Sequence, residues 1–386
     1  MAYFIKRGAK WSFVIDTPIA SGKRKQVRRS GFSTKKEAQE AAITLQKEIN
    51  DGIYITPTNI PFKCFSEDYW LPIYSKSVKA GSVRVRKHEL SLLLSQFGDC
   101  MRLKDISSVV YERAMLEIFD KYAHNTACGV HGTARMIFKK AKKDELIIKD
   151  PTEFFRAPRK IITLEQAAQG EVPRYLEKEQ LVLFLKLAQE VGMDEDYIIF
   201  KLLSYTGMRI GELCALKWSD IDFKSGTLQV NKTYYNEANT PTLYELTTPK
   251  TKASIREIEL DPRLLSELSE HKIQQHFIKG KCPTWLKEDF VFTHIDYPGY
   301  PKYPKMLGYR MKRVLLAAGL ASNLSPHSLR HTHCSLMAEA GASLEEIQTR
   351  LGQVDDDTTK NVYLHITKAL KKQTSQKFSK LMQGLL

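Results

Sequence analysis

Five polar residues in the second half of the chain carry the functional groups that cleavage of a phosphodiester requires. They are two arginines, a lysine, a histidine and a tyrosine: Arg209, Lys250, His327, Arg330 and Tyr363. Guanidinium groups neutralise the non-bridging oxygens of a phosphate through paired hydrogen bonds. A phenol can attack the phosphorus, and a lysine can protonate the oxygen that departs. These residue types together predict phosphoryl transfer without a metal ion or another cofactor.

The first arginine and the lysine lie in motifs that predict local structure. Arg209 lies in Tyr205-Thr-Gly-Met-Arg-Ile-Gly-Glu-Leu213, where the first glycine is expected to end a helix. Glu212 is expected to support the structure there, because a carboxylate that faced a phosphate would repel it. Lys250 follows a proline and precedes Ser254–Leu260, whose alternating polar and apolar residues predict a strand.

The histidine, the second arginine and the tyrosine lie further along the chain. His327 and Arg330 are three residues apart in Ser325-Pro-His-Ser-Leu-Arg-His-Thr332. A serine followed by a proline favours the start of a helix, so both side chains are expected to project from one face. His331 and His333 are expected to pack or to cap the helix. Tyr363 ends the string Thr358-Thr-Lys-Asn-Val-Tyr363.

The order and spacing of these motifs resemble the tyrosine recombinase (phage integrase) family, and the resemblance covers most of the chain. Within that family, the sequence is most similar to integrases of conjugative transposons and temperate phages. The resemblance implies that Arg209 and Arg330 clamp the scissile phosphate while Tyr363 attacks it. It also implies that His327 assists proton transfer from the tyrosine and that Lys250 protonates the leaving 5′-oxygen.

Two positions bear on how far the resemblance extends. Lys252 is an alternative to Lys250 in the same turn, and the Lys-Thr order favours Lys250. In Arg350-Leu-Gly-Gln-Val354 the family usually has histidine, sometimes tryptophan, where Gln353 stands. A glutamine amide can donate a hydrogen bond to a non-bridging oxygen, but it cannot carry a proton or a positive charge. The substitution is therefore expected to affect the rate more than the reaction. The alternative is a shifted helix that turns Gln353 to solvent.

Length and charge indicate several domains and a polyanionic partner. In 386 residues, Lys and Arg outnumber Asp and Glu by 59 to 44, which gives a formal net charge of +15 and favours nucleic acid. The six cysteines form no Cys-x-x-Cys pair, which argues against a zinc site and a disulfide framework. No apolar run is long enough to span a bilayer, so a cytoplasmic, nucleoid-associated protein is expected.

Residues 1–54 predict a small α+β domain. Three short strands precede a helix that opens with the capping box Thr34-Lys-Lys-Glu37. A sheet backed by one helix leaves its other face free to enter the major groove of DNA. Five basic residues are expected on or beside that face: Lys23, Arg24, Lys25, Arg28 and Arg29. The segment is similar to the N-terminal arm-binding domain of the integrases named above.

Residues 62–160 predict an all-α domain, because apolar residues recur at helical spacing in four segments. The fourth helix carries four lysines away from its apolar stripe, where they suit phosphate contact: Lys139, Lys140, Lys142 and Lys143. A four-helix unit at this place resembles the family's core-site-binding, SAM-like domain. A helical bundle with a solvated lysine face is the alternative that the local sequence leaves open.

Residues 173–386 follow a linker at 160–170 and predict a mixed α/β, mainly helical catalytic domain. Its tail, 368–386, predicts an amphipathic helix, because four apolar residues follow helical spacing: Phe378, Leu381, Met382 and Leu385. Related recombinases dock such a helix into a neighbouring subunit. Packing of the tail onto its own domain is the alternative.

The motifs and the resemblance together predict a site-specific recombinase that integrates and excises a mobile element. The resemblance implies a homotetramer on double-stranded DNA with core and arm attachment sites, which exchanges strands through a 3′-phosphotyrosyl link and a Holliday junction. It further implies an excisionase and a host DNA-bending protein as accessory partners, and no membrane partner. The alternatives are a resolvase- or topoisomerase-like strand transferase, and a DNA-binding regulator with a disabled catalytic domain, which Gln353 alone supports.

Overall fold

The chain divides into two units, Met1–Ile161 and Ile162–Leu386, and the division falls inside the stretch expected to be a linker. The computed structural model describes residues 2–17, 25–50, 59–159, 175–238, 240–249, 251–353 and 359–366. The first unit contains two separate hydrophobic cores, one on the N-terminal sheet and one among helices. The three-domain division stays a prediction.

The N-terminal residues form the three-stranded sheet and helix that the sequence predicts. Strands β1 (Ala2–Arg7), β2 (Lys10–Thr17) and β3 (Lys25–Phe32) pair antiparallel in that order. Helix α1 (Lys35–Asn50) covers one face of the sheet. Its start is the expected capping box, in which the Glu37 amide donates to Thr34 Oγ1 at 3.1 Å. The core between sheet and helix contains Phe13, Ile15, Ala38, Ala42 and Leu45.

The helical part of the first unit also agrees with the prediction. An α-helix at Phe62–Cys64 (α2), a π-helical stretch at Phe65–Trp70 and an α-helix at Leu71–Ser75 (α3) follow one another directly. Three longer helices complete the bundle: α4 (Ala80–Phe97), α5 (Ser108–Lys121) and α6 (His124–Lys143). Most of the apolar residues that predicted the four helices face a single core, in which Phe62 stacks on Phe138, whereas Tyr69 and Ile73 are exposed.

The second unit is mainly helical, as expected. Its α-helices are α7 (Lys178–Glu190), α8 (Asp196–Thr206), α9 (Ile210–Cys214), α10 (Pro262–Lys281), α11 (Pro304–Ala317), α12 (Pro326–Glu339) and α13 (Leu344–Leu351). Residues 359–366 are helical as well. No helix in the described part of the chain is both long and apolar enough to cross a membrane.

Two small sheets lie among these helices. Strands β4 (Ile221–Asp222), β5 (Thr227–Val230) and β8 (Arg256–Glu259) form one antiparallel sheet in the order β4-β5-β8. Strands β6 (Thr233–Tyr235) and β7 (Glu245–Thr247) form a separate pair. The predicted strand at Ser254–Leu260 is confirmed, although it begins two residues later, after a 3-10 turn at Lys252–Ser254.

Two glycines that follow helices have left-handed backbone conformations with nearly equal φ angles but different surroundings. Gly207 follows α8 with φ +62°, and Gly319 follows α11 with φ +63°. A Cβ at Gly207 would lie 2.5 Å from Leu351 Cδ2 and 2.7 Å from His333 Cδ2, whereas a Cβ at Gly319 would meet nothing within 4 Å. The turn after α8 is therefore pressed against α12 and α13.

We predict that Gly319→Ala lowers the free energy of unfolding by about 1–2 kcal/mol, the cost of a left-handed alanine. Gly207→Ala carries the same backbone cost and should lose about 1–3 kcal/mol more, because the added methyl overpacks the contact with Leu351 and His333. Urea unfolding of both variants measures the difference. Equal losses in the two variants would show that α12 and α13 do not press on this turn.

Candidate active site

Arg209 is held at the start of α9 by a buried carboxylate. Its amide donates to Glu212 Oε2 at 2.9 Å, and its Nη1 donates to Glu212 Oε1 at 2.9 Å. The Glu212 side chain is 3% exposed, whereas that of Arg209 is 37% exposed. Glu212 thus has the supporting position expected from the sequence. It fixes one end of a guanidinium whose other end faces outward.

Arg330 on α12 is fixed by two backbone carbonyls. Its Nη1 donates to Gly207 O and its Nη2 to Leu351 O, each at 2.7 Å. These carbonyls lie two residues before Arg209 and two residues before Gln353 in sequence. Arg330 is only 2% exposed, so an oxyanion can reach no more than an edge of its guanidinium. The side chain joins the turn after α8 to the end of α13.

His327 lies on the same helix but in a different environment. It is exposed, and its ring centroid lies 4.7 Å from that of His331 in an edge-to-face contact. The start of α12 at Pro326 confirms the expected helix, whose first turn begins after Ser325. His327 and Arg330, three residues apart on this helix, share one face as expected, but they differ in burial, because His327 is exposed and Arg330 almost fully enclosed.

His333 has the packing role expected from the sequence. Its Nδ1 lies 2.9 Å from Ser204 O and therefore carries the proton, and its Nε2 accepts from Arg350 Nε at 3.3 Å. Burial, followed by the charge of Arg350, lowers the pKa of His333 to about 4. The imidazole is consequently neutral at ordinary pH. It connects the last turn of α8 to the last turn of α13.

Gln353 lies in the turn that follows α13, where Gly352 has φ +65°. Its backbone amide donates to Gln348 O at 2.9 Å, and its side-chain oxygen Oε1 accepts from Thr359 Oγ1 at 2.8 Å. Because the side-chain oxygen is the acceptor in this pair, Nε2 is the donating end of the amide. The side chain is half-buried, so the alternative that turns Gln353 fully to solvent is not what the structure shows.

Tyr363 lies in the helical segment 359–366, four residues after Thr359. It is half-buried and packs against a small cluster of apolar residues from α12, α13 and its own segment: Cys334, Ala338, Ile347, Leu351 and Ile366. The segment is tied to α12 by Cys334 Sγ, which lies 3.8 Å from Thr359 O. Thr359 thus connects Gln353 to the helical segment that carries Tyr363.

Lys250 lies outside the described residues, so the choice between it and Lys252 stays a prediction. The residues on either side place it between β7 and the 3-10 turn at Lys252–Ser254. That turn packs against the Gln353 turn: Ser254 Oγ donates to Gly352 O at 3.4 Å. Lys252 itself is exposed.

Arg256 is a part of this arrangement that the motifs did not indicate. Its side chain is 6% exposed, and its Nη2 donates to Glu212 Oε2 at 3.0 Å. Burial alone would raise the pKa of Glu212, but the charge and hydrogen bond of Arg256, together with Arg209, hold that pKa below its usual value. Glu212 is therefore an ionised carboxylate between two guanidinium groups. The strand pattern offers a signal for Arg256, since it lies two residues before the buried Ile258 and shares its face.

The expected DNA-binding residues of the N-terminal sheet separate onto two faces. Arg28 lies opposite Val14, which lies opposite Tyr3, so these side chains share the face turned away from α1. Arg29 lies opposite the buried Phe13, so it lies on the face that α1 covers, and it is exposed because β3 is an outer strand of the sheet. The remaining three are Lys23 and Arg24, outside the described residues, and Lys25, the first residue of β3.

The four lysines of α6 also differ from one another. Lys139 and Lys143 are exposed. Lys140 is half-buried and pairs with Asp144 at 2.5 Å, one helical turn away. Lys142 is exposed and lies 3.4 Å from Glu153. Lys139 and Lys143 are therefore the better placed of the four to meet an external phosphate.

The described part of the site can bind and polarise an anion. Four arginines, Arg209, Arg256, Arg330 and Arg350, belong to one network of hydrogen bonds that includes Glu212, His333 and backbone carbonyls. The excess of positive charge lies in one place, while the donors are fixed in direction. Such a fixed set stabilises charge that develops on phosphate oxygens in a transition state.

Comparison with known proteins agrees with this chemistry. Residues 174–369 match the phage integrase family, and residues 2–49 match an arm DNA-binding domain. An integrase of Staphylococcus phage L54a is 26% identical over 330 residues, which span 82% of this chain and 92% of that protein. The Tn1549 transposon integrase, solved in complex with a circular intermediate DNA, aligns with a TM-score of 0.63 at 20% identity, over 81% of this chain and 98% of that one.

The lambda integrase tetramer, solved bound to a Holliday junction, aligns with a TM-score of 0.59 at 18% identity, over 92% of this chain and 96% of that one. These structures share the fold of this chain. The family match spans half of the sequence and contains every residue of the candidate active site. The chain therefore belongs to the phage integrase family, as its motifs predicted, and is a tyrosine-type recombinase.

Proposed function

We propose that this recombinase cuts and rejoins DNA strands at specific sites, and so integrates and excises a mobile element. The observation that carries the proposal is the set of buried contacts that joins the turn of Arg209, the helix of Arg330 and the turn of Gln353. Through Thr359, the same set reaches the segment that carries Tyr363. A catalytic unit needs these groups in one place, and no single motif provides that.

In the proposed reaction, Tyr363 Oη attacks the scissile phosphorus while Arg209 and Arg330 hold the non-bridging oxygens. The bond from phosphorus to the 5′-oxygen breaks, and Lys250 donates the proton that the 5′-oxygen takes up. His327 assists removal of the phenol proton. The product is a 3′-phosphotyrosyl link and a free 5′-hydroxyl. Because the ester bond is conserved, attack by a 5′-hydroxyl from another duplex rejoins the strands without ATP and forms a Holliday junction.

Gln353 is proposed to donate from Nε2 to a non-bridging oxygen. Its Oε1 is occupied by Thr359 Oγ1, which sets the direction of the amide. A neutral donor at this point contributes mainly when negative charge builds up on the oxygens. This role requires no protonation at residue 353.

We propose that residues 1–54 bind arm-type sites, 62–160 bind the core site with Lys139 and Lys143 on the phosphates, and 173–386 catalyse strand exchange. Two DNA sites on one chain can be engaged together only if the intervening DNA bends. That requirement supports a host DNA-bending protein and an excisionase as accessory partners, acting at the nucleoid. The lambda integrase tetramer on a Holliday junction supports the same assembly for this chain. The tail helix proposed to dock in trans lies outside the described residues.

The nucleophile is tested by Tyr363→Phe, which removes one oxygen and leaves the packing against Leu351 in place. We expect DNA binding to be unchanged and the covalent protein–DNA adduct to be absent on a nicked suicide duplex, since the phenol oxygen forms the bond. Denaturing gels that resolve the adduct measure this. Adduct formation at the wild-type rate in the Phe variant would show that Tyr363 is not the nucleophile. For the wild-type protein, a topoisomerase-like activity would appear as relaxation of supercoiled DNA without joining of two duplexes.

The arm-type site is tested by comparing Arg28→Ala with Arg29→Ala, two adjacent changes of equal charge. Arg28 shares the free face with Tyr3, so its loss should weaken binding to the arm-type site. The slope of log K against log salt concentration should also become shallower by about one unit, because one phosphate contact is lost. Arg29, on the face that α1 covers, should have the smaller effect. Affinities measured at several salt concentrations decide between them, and a larger effect from Arg29→Ala would place the DNA on the α1 side of the sheet.

The role of Gln353 is tested by three substitutions. Gln353→Ala should slow cleavage by roughly 10- to 1000-fold, the loss expected for one oxyanion donor. Gln353→His should keep activity, because a neutral imidazole can accept from Thr359 and donate from its other nitrogen. Gln353→Glu keeps the shape and the acceptor for Thr359 but replaces the donor with a negative charge, so it should cleave more slowly than the Ala variant. Single-turnover cleavage gives the three rates; an alanine variant as fast as wild type would exclude the contact.

A further inference from the structure

Arg256 makes three hydrogen bonds from one buried guanidinium. Its Nη2 donates to Glu212 Oε2 at 3.0 Å, its Nε to Arg350 O at 2.8 Å and its Nη1 to Ser254 O at 3.1 Å. The side chain is 6% exposed and lies on the core face of β8, together with Ile258. Each of the three nitrogens thus has a different acceptor, and the acceptors belong to three separate stretches of chain.

Each acceptor belongs to a segment that carries one of the proposed reacting groups. Glu212 holds Arg209 through Nη1 and through the backbone amide. The Arg350 carbonyl lies three residues before Gln353, at the end of α13. Ser254 ends the 3-10 turn that begins two residues after Lys250, the lysine proposed to protonate the leaving oxygen. One side chain therefore connects the positions of the arginine clamp, the amide donor and the lysine turn.

The packing around Arg256 shows how closely these segments meet. A Cβ at Gly352 would lie 3.0 Å from Arg256 Cδ and 2.9 Å from Ala253 O. The left-handed Gly352 therefore lets the Gln353 turn lie directly on the Arg256 stem and on the 3-10 turn. A shift of Arg256 would be passed on to both turns, because no space separates them.

The chemistry of the residue explains why an arginine is needed here. A guanidinium is planar and presents its donors in fixed directions, so it can satisfy three acceptors that lie around its plane. A lysine ammonium is a point charge on a flexible stem and cannot reach all three in the same geometry. The ion pair with Glu212 also keeps that carboxylate ionised, and so keeps it able to orient Arg209.

We infer that Arg256 is a positioning residue of the recombination reaction, which sets the Arg209 clamp and the Gln353 donor relative to each other without touching DNA. The inference rests on the proposed function of the site. It assigns to β8 a role beyond completing a sheet. The expected signature is a slow chemical step in a protein that folds and binds DNA normally.

The first experiment is Arg256→Lys in the full-length protein, with Arg263→Lys as the matched control at an exposed position on α10. The probe is a nicked suicide duplex that carries the end-junction sequence of the protein's own mobile element. We expect Arg256→Lys to bind this duplex within about twofold of wild type and to form the covalent adduct about 10- to 100-fold more slowly, since small displacements of positioned groups have effects of this size. Arg263→Lys should form it at the wild-type rate. Adduct formation by Arg256→Lys within about twofold of wild type would overturn the inference.

A second measurement separates positioning from general destabilisation. If Arg256 acts through Gln353, then Arg256→Lys should slow cleavage much less in a Gln353→Ala background than in wild type, because the group that it positions is already absent. If the double variant is slowed by the full product of the two single-variant factors, the two substitutions act independently, which would contradict a role of Arg256 through Gln353. A merely structural role would lower the melting temperature equally in both backgrounds and would not produce such coupling.

A third variant covers the case in which Arg256→Lys does not fold. Arg256→Met combined with Glu212→Gln removes both charges of the buried pair, a change that proteins commonly tolerate. We expect this protein to fold and to cleave slowly; wild-type cleavage would overturn the inference. The proposed function is judged separately by Tyr363→Phe. If that variant still forms adducts, the proposed function fails, whereas a fully active Arg256→Lys beside an inactive Tyr363→Phe removes only the positioning role.

Discussion

The active site depends on one buried carboxylate among several arginines. Phosphoryl transfer requires positive charge at one point, and guanidinium groups that are packed together repel one another. Glu212 offsets part of that repulsion, and its own pKa stays low despite burial because of Arg256 and Arg209. Its two oxygens also act in different directions: one orients Arg209 toward the surface and the other holds Arg256 inside. The same residue thus contacts both the part-exposed arginine proposed to hold the phosphate and the buried arginine proposed to position it.

Backbone carbonyls hold the remaining arginines in place without removing their charge. Arg330 donates to Gly207 O and Leu351 O, and Arg350 donates to Glu259 O at 3.1 Å. A carbonyl is a dipole and not an ion, so it fixes a guanidinium while the positive field of the site persists. The arrangement requires chain turns next to the arginines. The left-handed Gly207, which no other residue type could replace without strain, supplies one of those turns.

Most of the fold follows from periodicity, and the parts that do not follow have local physical reasons. Spacing of apolar residues was enough for the helices of residues 62–160, and the capping box at Thr34 marked the start of α1. Burial of Arg330 could not be read from its spacing to His327, because it depends on carbonyls far away in sequence. The face of Arg29 depends on the strand register, which shifts between Trp11 and Ser12. Arg256 was the residue that the sequence motifs missed. It lies two residues before Ile258 and therefore on the same, buried face of the strand, but an arginine in a strand is ordinarily expected to be exposed to solvent.

The glutamine at residue 353 departs less from its family than its chemistry alone implies. The turn that carries it follows α13, whose last residue, Leu351, accepts a hydrogen bond from Arg330 at its carbonyl oxygen. In the same cluster His333 has its pKa lowered to about 4, by burial first and then by the charges of Arg350, Arg330 and Arg256. The imidazole of His333 is therefore neutral and contributes one donor and one acceptor. Gln353 contributes the same pair, with its acceptor already used by Thr359. The donor role proposed for Gln353 therefore requires no charge on its side chain.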